Sequence, residues 1–142
     1  MEFQINFLAV VVATIVSFII GFVWYTPLFG KAWAKEMGFT MDRKPTSGEL
    51  TKGMLLNLIG NFFMAYVFAH NNEAWSFVPG MDEMSMGAKI ANAGIFTWLG
   101  FFVPQDLNKV AWGGRSWKLF FIDTGYHLVM LLAAAAILML WQ

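Results

Sequence analysis

The chain has 142 residues, of which 58% are hydrophobic and only 13% are charged, and its formal net charge is zero. Soluble domains usually carry about 45–50% apolar and about 25% charged residues, so this chain has too little charge to cover an ordinary water-facing surface. The neutral balance offers no basic field for nucleic acid, and the lack of cysteine excludes disulfides, thiolate catalysis and Cys-based metal centres. Composition therefore favours an integral membrane protein.

Four apolar segments are long enough to be membrane-spanning helices. The first covers residues 5–25 without a charge, and at 1.5 Å per residue it crosses the hydrocarbon core of ~30 Å. A cleaved signal peptide is the alternative for this segment, but it would begin with basic residues and end in a small-x-small site, whereas Glu2 precedes the segment and Trp24 lies at its end. The other three predicted spans are residues 50–69, 86–103 and 116–141, so that residues 1–142 form a single transmembrane domain.

Local signals set the expected ends of these helices. Thr46 and Glu49 form a Thr-x-x-Glu capping box, which predicts that the second helix begins in water before it enters lipid. The third helix is expected to end at Pro104, because proline cannot continue a regular helix. Ser116 is a typical N-cap residue for the fourth helix.

The basic residues are unevenly distributed along the chain. Eight of the nine lie in the first and third loops or at the adjoining starts of the second and fourth helices, and only Lys89 lies elsewhere. The positive-inside rule makes the basic side cytoplasmic, so both termini are expected on the outer side of a bacterial inner membrane. An odd number of spans would scramble this segregation. The eight residues are Lys31, Lys35, Arg43, Lys44, Lys52, Lys109, Arg115 and Lys118.

The segment after the first span is typical of an amphipathic helix that lies in the membrane interface. Thr26 and Pro27 suit its start and Gly38 its end, while Phe29 and Trp33 share an apolar face. Aromatic and basic residues near span ends usually anchor a helix at this depth. The predicted interfacial anchors are Trp24, Tyr25, Trp33, Lys31, Lys35, Arg115, Trp117 and Lys118. The segment 105–112 is expected to lie in the interface in the same way.

Three stretches of the sequence resemble a known family. They are Gly-Phe-Val-Trp-Tyr-Thr-Pro-Leu-Phe-Gly-Lys-Ala-Trp at 21–33, Gly-Arg-Ser-Trp-Lys-Leu at 114–119 and Ile-Asp-Thr-Gly-Tyr-His at 122–127. In order and spacing they are similar to the bacterial membrane family of domain of unknown function 1761. The resemblance implies a small four-span protein, and it implies no reaction, substrate or catalytic residue.

Polar residues within the spans are the candidate functional residues, because an acid at mid-helix costs about 2.5–3.5 kcal/mol on insertion scales. Asp123 is the clear case, and His127 follows it one helical turn later on the same face. Asn57 and Asn61 have the same spacing in the second helix, which enters from the same side. If the two helices are neighbours, these four side chains can form one buried polar cluster, which Tyr126 can join.

This cluster leaves several functions open. Asp123 and His127 can act as a proton relay in a small transporter, since histidine exchanges protons near neutral pH. They can also bind a metal, although two ligands are too few for a zinc-like site, or they can simply hydrogen-bond the helices together. A water-accessible path to Asp123 would favour transport, whereas a dry cluster with every polar atom paired would favour packing.

Taken together, the residues predict an all-α bundle of four transmembrane helices with a short interfacial helix. The sequence lacks nucleophile elbows, phosphate loops and dinucleotide fingerprints, so an enzyme is not expected. The favoured interpretation is a non-enzymatic protein that binds lipid or partner subunits, without cofactor or metal, and the alternative is a proton-coupled transporter with its site at Asp123 and His127. The expected partners are membrane lipids and a second copy of the chain or another membrane protein.

Overall fold

The protein is an all-helical, multi-pass membrane bundle, as the sequence predicts. The computed structural model describes residues 4–40, 42 and 44–141, so Glu2 and Arg43 of the charge pattern lie outside the described residues. Four helices are long and apolar enough to cross a membrane. In chain order the elements are α1 (Phe7–Val23), which continues as a π-helical turn (Trp24–Leu28), α2 (Gly30–Glu36), α3 (Ser47–Ser76), α4 (Met86–Thr97), a second π-helical turn (Trp98–Phe102), α5 (Val103–Ala111) and α6 (Trp117–Leu140).

Helix α6 lies at the centre of the bundle. Helices α1 and α4 pack against it, and α3 packs mainly on α1. Small side chains dominate the buried contacts between these helices, and in lipid such residues allow the backbones to approach closely. The buried alanines are Ala9 and Ala13 of α1, Ala65 and Ala69 of α3, and Ala134 and Ala135 of α6.

The two ends of the bundle are packed differently. All six of those alanines lie toward the end that holds the start of α1, and there the three helices are close together. At the opposite end, which we call the basic end because it carries the lysine-rich loops, residues 47–57 of α3 are all exposed. Helix α3 therefore diverges from its neighbours toward the basic end and leaves a groove between them.

The junction between α1 and α2 differs from the sequence prediction. Thr26 and Pro27 do not start the short helix but lie inside the π-helical turn that extends α1, and the Thr26 hydroxyl donates to the carbonyl of Phe22. A proline has no N–H and crowds the preceding turn, and the wider turn accommodates it without ending the helix. The predicted end at Gly38 is confirmed, since Gly38 follows the last turn of α2 with a φ of 73°.

The start of α3 is as predicted. The Thr46 hydroxyl accepts from the backbone N–H of Glu49, and the Glu49 carboxylate accepts from the backbone N–H of Thr46, which together form the capping box. Ser116 likewise caps α6 by accepting from the N–H of Leu119. The helix α3 is longer at both ends than residues 50–69, because its polar turns outside the apolar segment are also helical.

The prediction that the third helix ends at Pro104 is wrong. The helix continues to Ala111, because the π-helical turn before the proline removes the clash and Pro104 occupies the first turn of α5. The segment 105–112 is for the same reason not a separate helix, while its position at the membrane interface stays a prediction. This part of the chain instead belongs to the third long helix, and Asp106 within it is buried.

The second π-helical turn also sets which face of α5 meets α6. Gly94 of α4 lies directly against Leu132 of α6. Asp106 comes twelve residues after Gly94, and in a regular α-helix that separation corresponds to a rotation of about 120°. One extra residue taken up by the π turn reduces the rotation to about 20°. Asp106 therefore faces α6, as Gly94 does.

Candidate functional site

Two of the sequence segments that carry the family resemblance pack against each other where α1 meets α6. The Tyr25 hydroxyl donates to Asp123 Oδ1 at 2.8 Å, and the indole N–H of Trp24 donates to the carbonyl of Ile122 at 2.9 Å. Glycines make this approach possible. A Cβ at Gly125 would lie 3.2 Å from the Trp24 ring, and one at Gly21 would lie 3.1 Å from the hydroxyl of Tyr126.

A second pair of polar residues joins α5 to α6 beside the first. Asp106 is only 2% exposed, and its Oδ2 accepts from Nδ1 of His127 at 2.8 Å. Its other oxygen accepts from Nζ of Lys109 at 2.8 Å, in an ion pair whose lysine is 51% exposed. Asp106 therefore holds the His127 ring in place while Lys109 reaches water.

Both pairs line one cavity at the basic end. Its volume is about 710 Å³, and Asp106, Asp123 and His127 are on its wall. The exposed residues Arg115 and Leu50 also line it, so the cavity is a groove that opens at the basic end rather than a sealed void. Cavities that bind small molecules commonly measure about 300–1,000 Å³. The groove thus provides the path from one face to Asp123 that favours a ligand site over a dry packing cluster.

Aromatic rings form part of the remaining wall of the groove, beside aliphatic side chains and glycines. Tyr25 packs edge-on against Trp33 of α2 and against Tyr126 of α6, with ring centroids 5.6 Å and 5.2 Å apart. The aromatic residues that line the groove are Phe18, Phe22, Tyr25, Trp33, Phe120 and Tyr126. Such rings provide apolar surface and a negative face at the same time.

The predicted cluster of four polar residues does not form. Asp123 and His127 each have a partner of their own, and among the described residues the hydrogen bond of Asn61 is made to Asn57, at 2.7 Å within α3. The divergence of α3 explains this, since it separates the asparagines from α6. Asn57 is exposed and still lines the groove with Asp123 and His127, whereas Asn61 is buried outside its lining. Tyr126 lines the groove, and its hydroxyl lies 3.4 Å from the carbonyl of Ser17.

The predicted interfacial anchors fall into two groups. Trp24 and Tyr25 belong to the contact between α1 and α6, because their polar atoms bind that helix, and Trp33 packs on Tyr25. Arg115 is exposed and donates from Nη1 to the sulfur of Met37 at 3.3 Å, which links the start of α6 to α2. The exposed anchors are Lys31, Lys35, Trp117 and Lys118, whose position at a membrane interface stays a prediction.

Glu36 is the last residue of α2 and carries an acidic side chain. Its carboxylate accepts from the hydroxyl of Ser116 at 2.5 Å and lies 4.0 Å from Nζ of Lys118. These contacts tie α2 to the first turn of α6. Helix α2 therefore closes one side of the groove.

Asp106 is the functional candidate that the sequence prediction missed. Two residues after a proline, it fell in the segment 105–112 that was predicted to lie in the interface, so its cost of burial went unnoticed. The spacing of Asp106 and Lys109, three apart on a helix, was the available signal, because it allows an ion pair that reaches from a buried site to water. Among the described residues, no group of three or more His, Asp or Glu is arranged to hold a metal ion.

The fold and the groove define a four-span membrane protein with a polar site at one end. The family model described as "Protein of unknown function (DUF1761)" matches residues 8–139, and the chain belongs to that family, as the three sequence stretches indicated. No curated protein and no solved structure matches the chain.

Proposed function

We propose that this protein is a small, non-enzymatic membrane carrier whose solute site is the groove at the basic end, coupled to protons by Asp123 and the Asp106–His127 pair. One observation supports this most. A carboxylate–imidazole pair and a second carboxylate share the wall of a cavity that is open at one face and closed by tight packing at the other. Ionisable groups are costly at membrane depth, so their place beside water-accessible space favours chemistry over packing.

The roles follow from the contacts. His127 exchanges a proton with Asp106 or with water in the groove, and Lys109 balances the charge of Asp106 when His127 is neutral. Asp123 receives the solute or a proton, and Tyr25 orients its carboxylate. The alanine-packed end blocks the opposite face in this conformation, so transport requires a second conformation in which that end opens.

The orientation is part of the proposal. The positive-inside rule puts the basic end in the cytoplasm and both termini outside. A phosphatase fused to the C-terminus of the chain should therefore be active in cells, and a fluorescent protein fused there should stay dark. A fluorescent C-terminal fusion would reverse the assigned orientation of the groove.

The carrier proposal is tested by accessibility, which needs no known solute. The chain contains no cysteine, so a single introduced cysteine reports on one position. Phe18 lines the inner part of the groove, whereas its neighbour Ile19 is 52% exposed on the lipid-facing surface of α1. We expect Phe18→Cys in sealed vesicles to react with a charged, membrane-impermeant maleimide from the basic side and, in the second conformation, from the opposite side. Ile19→Cys should react from neither side.

Proton coupling has its own readout in the same assay. The share of Phe18→Cys that reacts from each side should change with pH, and Asp123→Asn should abolish that change while leaving the reaction itself intact. If Phe18→Cys reacts from the basic side alone at every pH and under every pH gradient, the carrier proposal is wrong. The protein would then be a binding protein whose site opens to one side only.

A further inference from the structure

The aromatic wall and the charge arrangement of the groove point to the class of its ligand, a conclusion that rests on the proposed carrier function. We propose that the groove binds lipophilic organic cations, such as quaternary ammonium or phosphonium compounds, with Asp123 as the counter-charge and the surrounding aromatic rings as the binding surface.

Of the two carboxylates deep in the groove, Asp106 and Asp123, one is ion-paired. Asp106 is neutralised by its ion pair with Lys109, and it also accepts from His127. Asp123 differs, because within the described part of the chain it forms no ion pair and accepts from the neutral phenol of Tyr25. Within the described residues, the inner wall therefore holds one carboxylate that has no ion-pair partner.

The two oxygens of the Asp123 carboxylate differ in their contacts. Tyr25 binds Oδ1, and Oδ2 receives no hydrogen bond from the described residues. Oδ2 is not fully buried, and Asp123 is on the wall of the groove. This oxygen is therefore open to the space of the groove. A ligand in the groove can reach this oxygen without displacing Tyr25.

Aromatic rings form part of the remaining groove surface. Six aromatic residues line the groove, and contacts hold two of their rings in place. Tyr25 donates to Asp123, and the Tyr126 ring lies against Gly21. Aromatic faces attract cations that have shed their water, and a bulky organic cation gains apolar contact from the same rings. A small inorganic cation would gain little here, because it needs several oxygen ligands.

The opposite class, an anionic amphiphile such as a fatty acid or a phospholipid, is less well supported. Its charge would have to rely on Arg115, since Lys109 is already paired with Asp106. Arg115 precedes Asp123 by eight residues, a distance of about 12 Å along the helix axis, and is exposed at the mouth of the groove. An anion bound there would leave the inner aromatic wall beside an unbalanced carboxylate.

The experiment uses two probes of equal size and opposite charge, tetraphenylphosphonium and tetraphenylborate. Binding of each to the full chain in nanodiscs is measured by equilibrium dialysis, with empty nanodiscs as the background for partition into lipid. We expect saturable binding of the phosphonium alone. Asp123→Asn should weaken it at least tenfold, whereas Asp123→Glu, which keeps the charge, should stay within about threefold of the unmodified chain.

Aromatic variants provide the second arm. Trp33→Ala should weaken phosphonium binding by about fivefold or more, because Trp33 is part of the groove wall. Phe96→Ala is the matched control, since Phe96 is 70% exposed on α4 and lies outside the groove lining, and it should leave binding unchanged.

The outcomes are distinct. Saturable binding of the borate, or equal binding of both ions, would overturn the cation assignment, and so would the absence of any saturable binding. None of these results depends on whether a variant folds, because the two ions are compared on the unmodified chain. If Phe18→Cys reacts with the maleimide from both sides while the phosphonium fails to bind, the assigned ligand class is wrong but the carrier proposal is supported.

Discussion

Asp106 offers the sharpest test of the site's construction, because its bond to His127 joins α5 to α6, its bond to Lys109 lies within α5, and the two bonds can be removed separately. Asp106→Asn keeps the shape of the side chain but removes its charge, so it weakens the bonds to both His127 and Lys109. Asp106 is 2% exposed and the His127 side chain 19% exposed, whereas Lys109 is 51% exposed and keeps its hydration when the partner is lost.

The magnitude follows from those exposures. Interhelical hydrogen bonds in membranes average about 0.6 kcal/mol, with a maximum near 1.7, and a bond to a charged group lies toward the upper part of that range. The half-exposed ion pair with Lys109 contributes about 0–1 kcal/mol. We therefore expect Asp106→Asn to lower the free energy of unfolding by about 1–2 kcal/mol, a change of roughly five- to thirtyfold in the unfolding equilibrium.

The measurement is a double-mutant cycle in mixed micelles or bicelles. Asp106→Asn and His127→Asn should show a coupling energy of about 1 kcal/mol, and Asp106→Asn with Lys109→Gln a coupling below about 0.5 kcal/mol. A coupling between Asp106 and His127 indistinguishable from zero would refute the idea that this pair positions the ring, and with it the role assigned to His127.

Three further predictions concern the packing that surrounds the groove. Gly94→Ala should destabilise the bundle by about 1–2 kcal/mol relative to Gly60→Ala. The reason is that a Cβ at Gly94 meets Leu132 at 2.7 Å, while one at Gly60 meets nothing within 4 Å. Equal unfolding free energies for the two variants would contradict the close contact of α4 and α6. Trp24→Phe should lower the free energy of unfolding by about 0.5–1 kcal/mol, since it removes the indole donor to Ile122 and retains a ring, and a variant as stable as the parent chain would show that this bond contributes nothing. Thr46→Ala should speed amide hydrogen exchange in the first turn of α3 several-fold, because it removes the N-cap of that helix. Global unfolding should change little, since the start of α3 stands apart from the bundle. Unchanged exchange at the amide of Glu49 would argue against the capping box.

The sequence predicted the architecture better than the site. Hydropathy and charge gave the four long helices, and the Thr46–Glu49 and Ser116 caps were correct because capping depends on local hydrogen bonds within one turn. The errors came at Pro27 and Pro104. Each proline was interpreted as a helix boundary, and each lies instead within or just after a π-helical turn that keeps the helix continuous.

The same errors explain what was missed in the site. Asp123, His127 and Tyr126 were recognised because an acid, an imidazole and a phenol within an apolar span are visible in the sequence. Their partners were not, since Tyr25 was predicted as an interfacial anchor and Asp106 lay in the predicted interfacial segment 105–112. Which residue faces which depends on helix rotation, and one extra residue in a turn changes that rotation by about 100°.

The uneven packing of α3 has a mechanical consequence. This helix is packed against the bundle around Ala65 and Ala69. Its first eleven residues run along one side of the groove and are exposed. Ser47 lies about 27 Å from Ala65 along the helix axis, so a tilt of only about 5° about the fixed part displaces the free end by about 2.4 Å. A small rearrangement of the alanine contacts at one end of the bundle would therefore change the width of the groove opening at the other end.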